Sequence, residues 1–220
     1  SYILGHAICK GHIESIDAKL DDWPLVKNSL YHNQKIIDLI NMKAGDEKYF
    51  SSKDKSNIFA NSNSKYSVTN RTIKSVMENE LKNSKKSGNK WAYNNLLPHL
   101  IMNYIIFKAG NDEFLKLLED AFTNKAKIEY DTSFAEPQTS TSEDKATTST
   151  LLLTRYDYLR IAKAMLDDWQ NDTCEGKYLK SLYERKTKKN YDYGDTKQAF
   201  TNPKSYGGFF HLEPSGMKKR

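Results

Sequence analysis

Twelve mostly apolar residues, 96–107, form the stretch that most constrains the fold of this chain. Their sequence, LLPHLIMNYIIF, predicts a helix that is buried over most of its surface. A loop rich in Ser, Asn and Lys, residues 83–89, leads to Tyr93 and Asn95 at the start of this helix. Polar side chains held at the start of a buried helix have a fixed geometry, which catalysis requires. We therefore treat the Tyr-x-Asn triplet as a candidate site.

A purely structural role for the same residues is the alternative. Asn94 or Asn95 would then serve only as the N-cap of the helix. Tyr93 would be no more than an aromatic residue of the core. The spacing leaves both interpretations open, so the choice between them depends on the rest of the chain.

The composition limits the class of protein. The chain has 220 residues, 38% of them hydrophobic, which is enough for one large domain or two small ones. No uninterrupted apolar run approaches the roughly 20 residues of a membrane helix. The net charge is +6, but the lysines are dispersed and no helix-turn-helix, zinc or RNA-binding pattern accompanies them. We expect neither a transmembrane segment nor binding to nucleic acid.

The cysteines, histidines and glycines give no sign of a metal or a cofactor. Cys9 and Cys174 are too few for a disulfide scaffold, and the apolar sequence around Cys9 predicts a buried thiol. The five histidines are scattered, and none forms the i, i+4 pair that a helical metal site needs. Gly-rich phosphate loops are absent as well. We therefore expect no metal and no cofactor.

Periodicity predicts several amphipathic helices. Besides 96–107, the predicted helices are residues 2–12, 34–42, 72–81, 111–122, 154–169 and 176–186. Predicted strands are residues 127–130 and 150–153, with a turn and strand at 206–211. Residues 48–70 and 132–150 have little to bury and are predicted as long polar loops.

Two of these helices carry local start signals. Asn111 is expected to cap the helix predicted for 111–122. Thr154 and Asp157 form a capping box, with a hydroxyl at the cap and an acid three residues later. The side chains expected to be buried are Phe114, Leu115, Leu117, Leu118 and Phe122 on the first helix, and Tyr158, Leu159, Ala162, Met165, Leu166 and Trp169 on the second.

Ser-x-x-Lys spacing, which in some serine hydrolases supplies the nucleophile, occurs three times. The pairs are Ser52/Lys55, Ser62/Lys65 and Ser87/Lys90. A serine-lysine nucleophile lies at the start of a buried helix, where desolvation shifts the lysine toward its free base. All three pairs fall in polar loops, so we predict that none of them is a nucleophile.

The order of motifs resembles that of serine hydrolases related to class C β-lactamases and penicillin-binding proteins. Residues 1–22 are similar to the helix and LDDWP stop that follow the family's Ser-x-x-Lys nucleophile. Residues 36–45, IIDLINMKAG, resemble the next helix and its Met-x-x-Gly ending. The triplet at Tyr93 falls where the family has its Tyr-x-Asn motif, and residues 154–166 resemble a later helix that packs on the sheet. The resemblance extends over most of the chain.

The resemblance implies a fold and a mechanism. The expected fold is α/β of the α+β type, a mostly helical region packed on an antiparallel sheet. Tyr93 would share the base role with a lysine and Asn95 would position the substrate or that lysine, while backbone N–H groups stabilise the oxyanion. The substrate would be an amide, an ester or a β-lactam-like compound, either a small molecule or peptide-like. A periplasmic or extracellular location is favoured by the resemblance alone.

Two departures from the family pattern concern the ends of the chain. The Ser-x-x-Lys nucleophile would fall just before Ser1, and the third motif has only an echo, Lys204 to Gly207, so the genuine one is expected beyond Arg220. The resemblance therefore implies that residues 1–220 are a single domain truncated at both ends, and we expect this fragment itself to be inactive. The alternative function is a non-enzymatic helical binding module with mobile polar loops.

Overall fold

The computed structural model describes residues 1–50, 73–130, 133–135, 150–189 and 203–214. Its α-helices are α1 (Tyr2–Cys9), α2 (Ile36–Ile40), α3 (Glu47–Phe50), α4 (Ile73–Asn79), α5 (Leu96–Ala109), α6 (Asn111–Leu118), α7 (Arg155–Gln170) and α8 (Cys174–Glu184). A 3-10 turn covers Pro24–Val26, and a π-helical stretch, Glu119–Lys125, continues α6. The strands are β1 (Ser133–Ala135), β2 (Thr150–Leu152), β3 (Thr187–Lys188), β4 (Pro203–Gly207) and β5 (Phe210–Pro214). The protein therefore has the mixed α and β class that the sequence predicts.

The predicted buried helix is α5, and the core is built around it. Pro98 is tolerated because it lies in the first turn, where its missing N–H has no partner within the helix. α5 packs against α1, α2 and α6. Its side chains that are buried in the core are Leu96, Leu97, Leu100, Ile101, Tyr104 and Ile105.

Antiparallel strands form two small sheets within the described residues. β1 pairs with β2, and the second sheet has the order β3-β4-β5. In the β4–β5 hairpin Tyr206 lies opposite His211, which confirms the turn and strand predicted for 206–211. The backbone N–H of Gly208 in the turn donates a 2.9 Å hydrogen bond to Oδ1 of Asn41, so the hairpin is tied to the end of α2.

A disulfide between Cys9 and Cys174 joins the end of α1 to the first residue of α8. The prediction of a buried thiol at Cys9 was therefore wrong. The helices also pack closely, since a Cβ added at Gly5 would lie 2.6 Å from the Tyr178 ring. The two cysteines are 165 residues apart, so only the packing of the helices reveals the pair.

The buried side of α7 differs from the prediction. Tyr158, Leu159 and Leu166, all expected in the core, are exposed, Leu159 by 63%. Asp157 and Asp168 are buried instead, because their carboxylates accept hydrogen bonds from neighbouring elements. The hydrophobic pattern predicted the wrong buried side of α7, because these hydrogen bonds and the contact with α8 determine how α7 is oriented.

Smaller differences concern the ends of elements. Residues 127–130 do not form a strand. Asn111 is the first residue of α6 and not its cap, a position held by Gly110. Leu115 is exposed, because it lies on the outer side of α6. The helix predicted for 34–42 is shorter, Ile36–Ile40.

The predicted polar loops, residues 48–70 and 132–150, lie mostly outside the described residues. Their described ends belong to α3, β1 and β2. That residues 1–220 form a single domain stays a prediction. In the part of the chain that is described, every helix is too short or too polar to cross a membrane.

Candidate functional site

Tyr93 and Asn95 both reach the surface at the start of α5. The Tyr93 side chain is 52% exposed, and Asn95 is exposed as well. Asn94 between them is buried. Tyr93 and Asn95 are therefore both accessible to solvent, although the residue between them is not. The structural alternative, in which Tyr93 is an aromatic residue of the core, is wrong for Tyr93.

The capping role belongs to Asn94. Its Oδ1 accepts a 2.8 Å hydrogen bond from the backbone N–H of Leu96 in the first turn of α5. Asn95 occupies the formal N-cap position, but its side chain makes no capping hydrogen bond to the described helix. The Asn94 side chain therefore caps the helix, as the structural alternative predicts, whereas the Asn95 side chain does not.

The other end of the Asn94 amide is held by a buried carboxylate. Nδ2 of Asn94 donates to Oδ2 of Asp46 at 2.7 Å, and the Tyr31 hydroxyl donates to the same oxygen at 2.8 Å. Burial raises the pKa of Asp46, and the hydrogen bonds from Tyr31 and Asn94 oppose that rise. The sequence gives no sign of this role for Asp46, because a Gly-Asp pair after a helix is typical of a turn and does not indicate a partner 48 residues later.

Tyr93 lies at the edge of an aromatic cluster formed by Trp91, Tyr93, Tyr206 and His211. The ring centroid of Tyr93 is 6.4 Å from that of Trp91 and 6.5 Å from that of Tyr206. Tyr206 is buried, and burial foremost raises the pKa of its phenol. Because Tyr206 belongs to β4, the cluster brings the Tyr-x-Asn triplet into contact with the strand that holds the third-motif echo. β4 is the middle strand of its described sheet.

Lys189 adjoins this cluster next to His211. Nζ of Lys189 lies 5.1 Å from the centre of the Trp91 ring and 3.2 Å from Nδ1 of His211. Burial lowers the pKa of Lys189, and burial together with the nearby Lys189 charge lowers the pKa of His211. The ammonium group can therefore donate to a neutral imidazole. The sequence does not indicate that Lys189 and His211 are neighbours, because only the β3–β4–β5 sheet brings them together.

The first residue of the chain lies against α8. Oγ of Ser1 is 3.1 Å from the Tyr178 hydroxyl, and that hydroxyl donates to the Ser1 carbonyl at 3.2 Å. One turn further along α8, Leu182 packs closely on Gly207 at the end of β4. A continuous series of contacts thus runs from Ser1 through α8 to the strand that contacts Tyr93.

Other predicted chemistry falls outside this region. Ser87 and Lys90 lie in an exposed loop, as predicted, and the other two Ser-x-x-Lys pairs lie outside the described residues. Among the described residues, no three His, Cys, Asp or Glu side chains are grouped as metal ligands would be.

No protein-family model matches the chain, and no curated protein matches its sequence. The likeness to penicillin-binding protein-like hydrolases therefore stays a prediction from the motifs.

Proposed function

We propose that the protein is a serine hydrolase that acts through an acyl-enzyme on an amide, ester or β-lactam-like substrate. The nucleophile is the serine of a Ser-x-x-Lys motif directly before Ser1. The observation that carries the proposal is the exposed Tyr93 phenol on a segment held by Asn94, in contact with β4.

Tyr93 is the general base in this mechanism. A serine hydroxyl attacks a carbonyl only when a nearby group takes its proton. A phenol with a pKa of about 10 can do so only if positive charge stabilises the phenolate. The lysine of the motif supplies that charge. Asn95 makes a positioning hydrogen bond: its amide N–H donates to the substrate, or its amide oxygen accepts from the motif lysine.

The contacts of Ser1 support a position of the nucleophile close to α8. Ser1 is partly buried, and its hydroxyl and carbonyl oxygens both contact the Tyr178 hydroxyl. The contacts through Tyr178 and α8 connect this point to β4 and the aromatic cluster.

The disulfide supports the proposed location. Disulfides form and persist in oxidising compartments and are rare in the cytosol. The Cys9–Cys174 bond therefore favours a periplasmic or extracellular site of action.

The test is covalent labelling of the full-length protein with a fluorophosphonate, a probe that phosphonylates activated serines. We expect the serine before Ser1 to be labelled, and Tyr93→Phe to slow labelling about 100-fold or more, the usual contribution of a general base. Tyr183→Phe is the matched control, because Tyr183 is a half-exposed tyrosine that contacts Trp169 on α7. Labelling of Tyr93→Phe at the wild-type rate would remove Tyr93 from the mechanism.

The second candidate is a non-enzymatic helical binding module. The exposed apolar side chains of α7, among them Leu159 and Leu166, favour it, since such side chains on one helix suit a binding surface. This protein would show no covalent labelling at full length, and its sequence before Ser1 would lack Ser-x-x-Lys.

A further inference from the structure

We propose that Asp46 is the positioning residue for Tyr93 and Asn95. Its carboxylate holds the segment between them in the one conformation that exposes both side chains. The catalytic part of this inference rests on the proposed hydrolase function, whereas the structural part does not.

Asp46 is suited to this role by its burial and its backbone. It is 1% exposed and follows Gly45, whose positive φ of +67° favours glycine. A Cβ at Gly45 would lie 2.7 Å from the carbonyl oxygen of Gly88, so the two loops approach each other closely. The backbone N–H of Ser87 also donates to the Gly45 carbonyl at 2.8 Å. The carboxylate therefore projects from a turn that is itself fixed against the loop before Tyr93.

The segment around Tyr93 is held at two points, one on each side. Before it, the N–H of Ala92 donates to the Met42 carbonyl at 2.8 Å. After it, the Asn94 amide uses both of its ends, one to Asp46 and one to the backbone of Leu96. With Asn94 turned inward, the side chains next to it in the chain are turned outward. Loss of the Asp46 contact would release Asn94 and the orientation of both neighbours.

The Tyr31 hydroxyl makes it possible to distinguish positioning of Tyr93 and Asn95 by Asp46 from a general contribution of Asp46 to stability. Tyr31 is fully buried and donates to the same oxygen of Asp46 as Asn94 does. Removing either donor disturbs the same carboxylate. Only the Asn94 contact leads directly to the candidate site.

The test compares four variants of the full-length protein. Asp46→Ala and Asn94→Ala remove the positioning contact, Tyr31→Phe removes the other donor, and Asp46→Asn keeps an oxygen that accepts both hydrogen bonds. The measurements are the rate of fluorophosphonate labelling and the amide hydrogen exchange of residues 93–96.

We expect Asp46→Ala and Asn94→Ala each to slow labelling 10-fold or more and to speed exchange at residues 93–96 at least 10-fold. Tyr31→Phe should lower the melting temperature and leave labelling and exchange in this segment within 2-fold of the wild type. In Asp46→Asn, the labelling rate and the exchange rate at residues 93–96 should both stay within about 3-fold of the wild type. If Asp46→Ala does not fold, Asn94→Ala decides the outcome, because it leaves the carboxylate and Tyr31 in place.

Unchanged exchange at residues 93–96 in Asn94→Ala, or equal loss of labelling in Tyr31→Phe, would overturn the inference. Failure of the wild type to label would overturn the proposed hydrolase instead. The exchange measurement would still decide whether Asp46 orders the segment, so the two failures can be told apart.

Discussion

Cys9 and Cys174 are bonded to each other, so the end of α1 is linked covalently to the start of α8. Next to this bond, Glu175 lies 3.3 Å from Nδ1 of the buried His6, and Lys125 contacts both Glu175 and Asp168. The crosslink therefore joins α1 to α8, and the neighbouring polar network extends this connection through Lys125 to Asp168 on α7.

Removal of the disulfide should destabilise the protein. The bond closes a loop of 165 residues, and a crosslink of that span restricts the unfolded chain. We expect the double variant Cys9→Ser, Cys174→Ser to lose about 2–5 kcal/mol of unfolding free energy, measured by denaturant titration. Dithiothreitol should lower the melting temperature of the wild type and not that of the double variant. Equal melting of the wild type with and without reductant would contradict the prediction.

Asp168→Asn should destabilise the protein in a pH-dependent manner. Burial raises the pKa of Asp168, but hydrogen bonds from Lys125, Tyr2 and Thr173 outweigh it and hold that pKa below its usual range. A carboxyl of lowered pKa adds stability above the unfolded pKa and loses it as pH falls through the folded pKa. We expect a loss on the order of 3 kcal/mol at pH 7, because a buried charge partner is removed.

The difference between Asp168→Asn and the wild type should shrink below about pH 4, where the unfolded carboxyl begins to bind a proton. Thermal unfolding of both proteins between pH 3 and 8 measures this difference in stability. Asp172→Asn is the control, since Asp172 pairs with Lys180 at the exposed surface and should have little effect. A loss for Asp168→Asn that stayed constant over this range would contradict the assignment.

Gly176→Ala should be strongly destabilising, although alanine is the better helix former by about 1 kcal/mol. A Cβ at Gly176 would lie 1.9 Å from the carbonyl oxygen of Asp168, so α7 and α8 would have to separate. We expect a loss of about 3 kcal/mol or more in unfolding free energy, measured by denaturant titration. Lys177→Ala, at the exposed neighbouring position, should be nearly neutral. Stabilisation by Gly176→Ala would show that the helices are not packed this closely.

Thr154→Ala should cost about 1 kcal/mol, the usual value of an N-cap. The Thr154 hydroxyl accepts a 3.1 Å hydrogen bond from the N–H of Asp157 and donates to its carboxylate at 2.8 Å. Thr154→Ser keeps both bonds and should retain most of the stability. Circular dichroism during thermal unfolding measures both variants, and equal losses for the two would argue against the cap.

Several features that depend on neighbouring residues were predicted correctly, although the Asn111 cap and the strand at 127–130 were not. The apolar run of α5, the Thr154 capping box and the turn at Gly208 each arise from side chains within a few positions of one another. Their energies come from local hydrogen bonds, backbone conformation and burial of a continuous apolar surface. The sequence also directed attention to Tyr93 and Asn95, although their proposed roles come from the resemblance.

Features that depend on distant residues were not predicted. The buried side of α7 was wrong because Asp168 is held by Lys125 and Tyr2, which no periodicity within α7 indicates. The aromatic cluster around Tyr93 needs the β4–β5 hairpin, whose residues follow more than a hundred positions later.

By itself, the amino-acid sequence determined that the chain forms a buried central helix preceded by a polar triplet, and that most of its other helices are amphipathic. The tertiary structure alone decided that Cys9 pairs with Cys174, that Asp46 holds Asn94, and which sides of the helices face inward. The physical reason is that periodicity and capping act over a few residues, whereas pairing of sulfurs and buried carboxylates depends on which helices come into contact.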